Sequence, residues 1–142
     1  MTQIYLAAAL TCASRMRAWA GEFSRDGFGI VSKWHSTYYI ADPYAPEVRR
    51  EILLANLWDL RVADIIFADT TQGVPACTFA EIGFALALGK LVVWLQPDGL
   101  RADGVMAKCI IDAHPGVHLI TGTHLVLPEL RKVREILLRD AG

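Results

Sequence analysis

Two hydrophobic periods alternate along the chain, and the switching between them predicts its elements. Apolar runs of strand length occur at Gln3 to Ala9, Phe28 to Ser32, Asp64 to Ala68, Leu91 to Leu95 and Val117 to Ile120. Between them the spacing lengthens to that of a helix. Met16, Trp19, Ala20 and Phe23 share one face. Val48, Ile52, Ala55 and Asp59 share another, with Leu53, Leu57 and Leu60 beside it. Leu130, Val133, Ile136 and Leu137 line a third. Ser14 is placed to cap the first of these helices, and Gly27 lies just past its end. Pro46 and Pro128 suit the first turns of the later two, and the helix from Pro46 should end near Arg61 or Val62. Lys33 to Tyr44 reads as a loop, Gln96-Pro97-Asp98-Gly99 as a turn, and Val105 to Ala113 as a short helix stopped before Pro115. Strands alternate with helices throughout. The expected fold is therefore α/β: residues 1–142 as a single domain, a five-stranded parallel sheet with helices on both faces, Rossmann-like or flavodoxin-like. The strands lack polar alternation, as strands covered on both faces do.

Composition narrows the function classes. The 142 residues are 54% hydrophobic and 20% charged, enough for one buried core and unlike a disordered chain. The formal net charge is −1 and no basic block exists, which argues against nucleic acid as a partner while leaving a small anionic ligand open. The opening run Ile4 to Cys12 is short and lacks a basic segment before it, so it reads as a buried strand and not a signal sequence. The apolar run from Ile82 to Leu95 is broken by Gly89 and Lys90 and is too short to span a bilayer. Cys12, Cys77 and Cys109 are scattered and odd in number, which suggests thiols in a reducing cytoplasm and not a disulfide framework.

Familiar cofactor motifs are missing. Gly27-Phe28-Gly29 lacks the third glycine and the strand-to-helix context of a dinucleotide fingerprint. Leu88-Gly89-Lys90 sits at the wrong end of a helix for a phosphate loop. Pro115 and Gly116 separate His114 from His118, against a helix presenting both to a metal. Neither a metal nor an organic cofactor is expected.

The chemistry concentrates in Thr78 to Lys90, an apolar, small-residue helix with one carboxylate, Glu81, near its start. It follows the strand Asp64 to Ala68 and an irregular loop from Asp69 to Cys77 that is long for a strand-to-helix connection. A helix so placed starts at the carboxyl edge of a parallel sheet, where open α/β sheets bind ligands. Two readings of Glu81 compete. Thr78-Phe79-Ala80-Glu81 matches a capping box, in which hydroxyl and carboxylate satisfy two helix amides reciprocally. Alternatively, first-turn amides and the helix dipole, worth roughly 0.3–1 kcal/mol, hold the carboxylate ionised for attack on an electrophilic carbon such as a sugar C1.

Ile4-Tyr5-Leu6-Ala7 resembles the opening strand of the nucleoside 2-deoxyribosyltransferase superfamily. Asp64-Ile65-Ile66-Phe67-Ala68 resembles its central strand, and Ala80 through Lys90 its signature helix. Val31-Ser32-Lys33-Trp34 is similar to short bacterial and phage-type members. The resemblance runs in order over roughly residues 3 to 120. It implies an enzyme acting on the N-glycosidic bond of a small-molecule nucleoside or nucleotide, with Glu81 as nucleophile. It also implies a homo-oligomer, because family sites borrow residues from a neighbouring subunit. The superfamily includes transferases that exchange bases on 2′-deoxyribose and hydrolases of nucleoside monophosphates. Candidate substrate-binding residues are Asn56 and Asp59 for sugar hydroxyls, Trp34 for the base, and Tyr5, Ala8 and Asp69 at the strand ends. Tyr38 is a further aromatic that could stack on a base; for it and Trp34, packing within the loop is the alternative.

Two departures bear on the substrate. Where the family usually has an aspartate eight residues before Asp64, this chain has Asn56, which keeps hydrogen bonding but loses charge. Asp59, nearly a turn later, is the candidate substitute. Pro75, six before Glu81, stands where a hydroxyl or carboxylate is common. It and the loop Ala9 to Ser14 are poor in phosphate-binding features, which favours base transfer over hydrolysis of a nucleotide. A nucleotide-binding module that has lost catalysis, and a structural domain with no small ligand, are the readings from other classes.

Overall fold

A computed structural model describes residues 1–37, 45–72, 76–97 and 110–142. Tyr38, Pro75, Cys109, most of the helix expected from Val105 and half of the turn expected at Gln96 to Gly99 lie outside the described residues.

The order is β1 (Gln3–Ala7), a 3-10 turn (Leu10–Cys12), α1 (Ala13–Arg25), β2 (Gly29–Ile30), α2 (Trp34–Thr37), α3 (Pro46–Val62) and β3 (Ile65–Asp69). Then come α4 (Ala76–Ala87), β4 (Leu91–Leu95), a 3-10 turn (Ile110–Ala113), β5 (Val117–Ile120), a 3-10 turn (Thr123–Leu125) and α5 (Val126–Ala141). The five strands form one parallel sheet in the order β2-β1-β3-β4-β5. The chain leaves β1 toward β2 on one side and returns to β3 on the other. The switch point, where parallel α/β sheets take ligands, therefore lies between the carboxyl ends of β1 and β3.

The pleat decides which side chains meet which helix. Tyr5 and Ala7 pair with Ile66 and Ala68, and these with Val92 and Trp94. Trp94 packs edge-on against Phe79 of α4, ring centroids 5.5 Å apart, so this set faces α4. The alternate set, Leu6 with Phe67, faces α1: the Phe67 ring lies 5.5 Å from Trp19 and 5.1 Å from Phe23, both edge-on. α3 packs on β1 and α4, on the α4 side. α5 covers β4 and β5 on the α1 side, where Arg131 and Arg134 reach Asp26 at the end of α1. Ile4 through Ala7, Ile65 through Ala68 and Val92 through Leu95 are all fully buried.

Two helices end as their glycines dictate. Gly27 (φ 87°) and Gly89 (φ 75°) take the left-handed conformation just past α1 and α4. At the second, the Lys90 amide bonds the Ala85 carbonyl and the Gly89 amide the Leu86 carbonyl, closing the last turn before β4. Helix starts differ from expectation. The cap position of α1 is Cys12 with no side-chain cap, and Ser14 is the exposed second residue. α5 begins at Val126, which leaves Pro128 in the first turn, where a missing amide costs nothing.

The strand expected over Phe28 to Ser32 shrinks to Gly29–Ile30, for an identifiable reason. The next backbone groups of β1 are served by side chains instead. The Leu6 amide donates to Ser32 Oγ at 3.0 Å, and Trp34 Nε1 donates to the Leu6 carbonyl at 2.7 Å. The segment can therefore leave the sheet early without orphaning β1.

Candidate active site

Glu81 lies in the second turn of α4, since the helix starts at Ala76 and not at Thr78. This overturns the capping box. Thr78 is inside the helix and fully buried, and its Oγ1 bonds nothing among the described residues. Glu81 Oε2 is likewise buried without a partner among the described residues, so this oxygen does not serve the described amides of its own helix. The expectation that helix amides would favour the ionised form is also overturned. Burial pushes the Glu81 carboxyl up to about 7, and the Tyr5 hydroxyl beside it pulls only partly the other way. A dipole effect fades beyond the first turn, whereas desolvation acts wherever water is excluded.

The elements bring Tyr5 and Glu81 together as the fold class requires. Tyr5 is fully buried in β1 and faces α4, with Ala7 one step nearer the carboxyl edge. Ala7 and Ala68 lie side by side at this edge and offer only methyl groups there. Ala8 follows β1, half-buried at the same edge.

Asn56 and Asp59 lie on α3, which packs against β1 and α4. Asn56 Oδ1 is buried and without a partner among the described residues. Asp59 is 2% exposed; Oδ1 takes Lys33 Nζ at 2.7 Å while Oδ2 has no partner among the described residues. Lys33, on the segment leaving β2, was not singled out by sequence reasoning. Nothing local marks it, because its partner is 26 residues away.

Two expected substrate contacts are corrected. Trp34 is 6% exposed, packed in the core, with its indole N–H committed to Leu6, so loop packing and not base stacking is its role. Asp69 is 3% exposed and turns toward α1. Its Oδ2 accepts Arg15 Nε at 2.6 Å and Trp19 Nε1 at 3.3 Å. Its Oδ1 accepts the amide and hydroxyl of Thr71 at 3.0 and 2.5 Å. Four donors leave no room for a ligand: Asp69 ties the start of the β3–α4 loop to α1.

Arg15, also missed, is thereby held at the carboxyl edge, three residues into α1. Nε is its engaged nitrogen among the described residues. His35 on α2 is buried, and burial holds its imidazole below the usual range, with Arg17 adding to the effect and the Ser32 carbonyl opposing it. A groove of about 570 Å³ lined by Gly83, Leu86, Ala87, Ile111, Ala113 and His114 runs along the second half of α4, away from these residues. Its one titratable group, His114, already accepts the Gly116 amide. Among the described residues no group of three His, Cys, Asp or Glu could hold a metal ion, and no helix is long and apolar enough to cross a membrane.

Fold and edge together define a doubly wound α/β domain with a buried carboxyl group at its switch point. No family model and no curated protein matches the chain. Solved structures do. A 2-deoxyribosyltransferase of Bacillus psychrosaccharolyticus superposes with a TM-score of 0.65 at 21% identity, over 88% of this chain and 90% of that one. A conserved protein from Enterococcus faecalis gives 0.65 at 23% identity, over 93% and 98%. A CMP N-glycosidase of Clostridium botulinum gives 0.60 at 17% identity, over 85% and 89%. The chain shares the fold of these three proteins.

Proposed function

We propose that this protein cleaves the N-glycosidic bond of a (deoxy)nucleoside and transfers the sugar to a second base. The observation that supports this most is the buried Oε2 of Glu81 at the β1–β3 switch point, without a partner among the described residues. A carboxyl group held in that state costs stability, and perturbed acids in such places are commonly functional. In the mechanism, ionised Glu81 attacks C1′. The C1′–N bond breaks, its electron pair goes to the base nitrogen, and that nitrogen takes a proton from solvent water as the base leaves. The nitrogen of a second base then attacks C1′, gives up its proton to solvent water and releases the carboxylate. Two displacements replace one harder step, as in retaining glycosidases. The Tyr5 hydroxyl orients the carboxylate, while Asn56 Oδ1 and Asp59 Oδ2 accept from sugar hydroxyls. Lys33 fixes Asp59 by holding its other oxygen.

A second reading, hydrolysis of a nucleoside monophosphate, is favoured by Arg15. With Nε tied to Asp69, its terminal nitrogens are left to meet a phosphate at the same edge. One experiment separates the readings. Deoxynucleosides with a free acceptor base, and nucleoside monophosphates in water, are incubated with wild type, Glu81→Gln and Arg15→Ala. New nucleosides, lost in Glu81→Gln and kept in Arg15→Ala, support transfer. Base release from monophosphates alone, lost in both variants, supports hydrolysis. No product from either panel, with ligand binding that survives Glu81→Gln, would leave a binding module.

A further inference from the structure

Gln96 is the first residue past β4 at the carboxyl edge, 1% exposed, with neither its side-chain Oε1 nor its Nε2 bonded to any described residue. Buried amides of this kind are rare, because each unmade bond costs the desolvation of a donor or acceptor. Its backbone is fixed: the Gln96 amide donates to the Ile120 carbonyl at 2.9 Å, continuing the β4–β5 pairing.

The pleat sets where the side chain goes. Trp94 faces α4, and Gln96, two residues on, falls on the same face. The register places Thr70 beside it on β3, since Asp69 pairs with Leu95. Thr70 cannot serve the amide. Its Oγ1 accepts Trp94 Nε1 at 2.9 Å and donates to the Leu95 carbonyl. Thr78, buried and unbonded in the first turn of α4, lies on the helix that covers this face, next to the Phe79 that packs on Trp94. Glu81 is one turn further along α4. Across this face the order runs α3 with Asn56 and Asp59, then β1 with Tyr5, then β3, then β4 with Gln96.

We propose that Gln96 reads the base: its amide, with Thr78 beside the same space, hydrogen-bonds the polar edge of the nucleobase on the β4 side of Glu81. The inference rests on the nucleoside reading and deepens it. With sugar hydroxyls met from α3, the other side of Glu81 is left for the base. A primary amide offers an acceptor and donors in one plane, the pattern that pairs with the edge of a purine or pyrimidine. A sugar hydroxyl needs no such planar match.

The test is calorimetric titration of the full chain with free adenine, guanine, hypoxanthine, cytosine, uracil and thymine, comparing wild type, Gln96→Met and Gln96→Glu. Binding is read without turnover, so it stands apart from the role of Glu81. Gln96→Met keeps volume and removes both polar atoms. Its melting temperature is expected to be unchanged or raised, since no bond to a described residue is lost, while the preferred base weakens roughly tenfold or more. Gln96→Glu exchanges donors for acceptors and is expected to reorder the bases, penalising those that present an acceptor. Unchanged affinity and ranking in both variants would overturn the proposal and leave the nucleoside reading standing. Lower melting temperatures with a uniform loss across all bases would make Gln96 structural and overturn it too. A wild type that binds neither these bases nor their nucleosides overturns both.

Discussion

Glu81→Gln should stabilise the protein above neutral pH and leave it unchanged in acid. The folded carboxyl titrates at about 7, against 4.5 in an ordinary environment. Each pH unit between those two values corresponds to about 1.36 kcal/mol, so the folded state disfavours the charged form by about 3 kcal/mol. The sign follows from which state holds the proton. Below about pH 4.5 both folded and unfolded chains are protonated at this site, and the stabilising difference is fully present. Between about 4.5 and 7 the unfolded chain ionises while the folded one does not, and stability falls. Above about 7 both are ionised and the full loss persists. Glutamine resembles the protonated acid in shape and polarity and has nothing to titrate.

Urea unfolding of wild type and Glu81→Gln at about pH 4.5 and pH 8 isolates this site, because every other titrating group is common to both. The expected curves coincide in acid and separate by about 3 kcal/mol at the higher pH, with Glu81→Gln the more stable. In a thermal melt at this chain length that is roughly 6–12 °C. Parallel curves would mean the carboxyl is not desolvated. A variant less stable at every pH would mean that the carboxylate is a stabilising cap after all. Either result would remove the physical basis for the proposed nucleophile.

The same carboxyl should give the activity a rising pH profile, with kcat/KM of wild type increasing as pH passes through about 7, because attack needs the ionised form. Tyr5→Phe removes the hydroxyl that pulls this pKa down, so the inflection should move to higher pH; an unmoved inflection would show that Tyr5 does not touch Glu81. Trp34→Phe is expected to cost about 1 kcal/mol in chemical denaturation through the lost bond to Leu6, with KM for nucleosides unaltered; a raised KM would restore the stacking role. Asp69→Asn should cost about 2–3 kcal/mol, below the full figure for a buried pair because Arg15 is partly exposed, and a neutral result would mean the ion pair holds nothing in place.

The layered fold was legible because it rests on periodicity, and strands buried on both faces leave an unmistakable apolar run. Register and strand order were not, since nothing in a single strand names its neighbour. The short β2 shows the limit of pattern reading. Val31 and Ser32 extend the apolar look of the segment, yet the bonds that end it come from Ser32 Oγ and Trp34 Nε1 reaching Leu6, 26 and 28 residues away. The site divides in the same manner. Glu81 stood out because a lone acid in an apolar helix is a local anomaly. Gln96, Lys33 and Arg15 did not, for their significance lies in partners gained or missing across the sheet. Asp69 was correctly placed at the strand end but misread in role, since no spacing rule tells whether an edge carboxylate faces the ligand or the helix behind it.

The helix start at Ala76 removes the capping reading of Glu81. Had α4 begun after Thr78, the same residues would have made a capping box, with the carboxylate lowered in pKa and contributing stability. Beginning earlier, the helix carries Glu81 into its second turn and against Tyr5, where it loses water. Selection for stability alone would replace such a group with glutamine or an apolar residue. An acid that destabilises the fold by about 3 kcal/mol above pH 7 is accounted for by the proposed attack on a ligand, which needs that group ionised. The Gln96 amide, without a partner among the described residues, carries the same signature at a second position on the same face of the sheet, and the shared ligand proposed above accounts for both groups where two separate defects of packing would otherwise be needed.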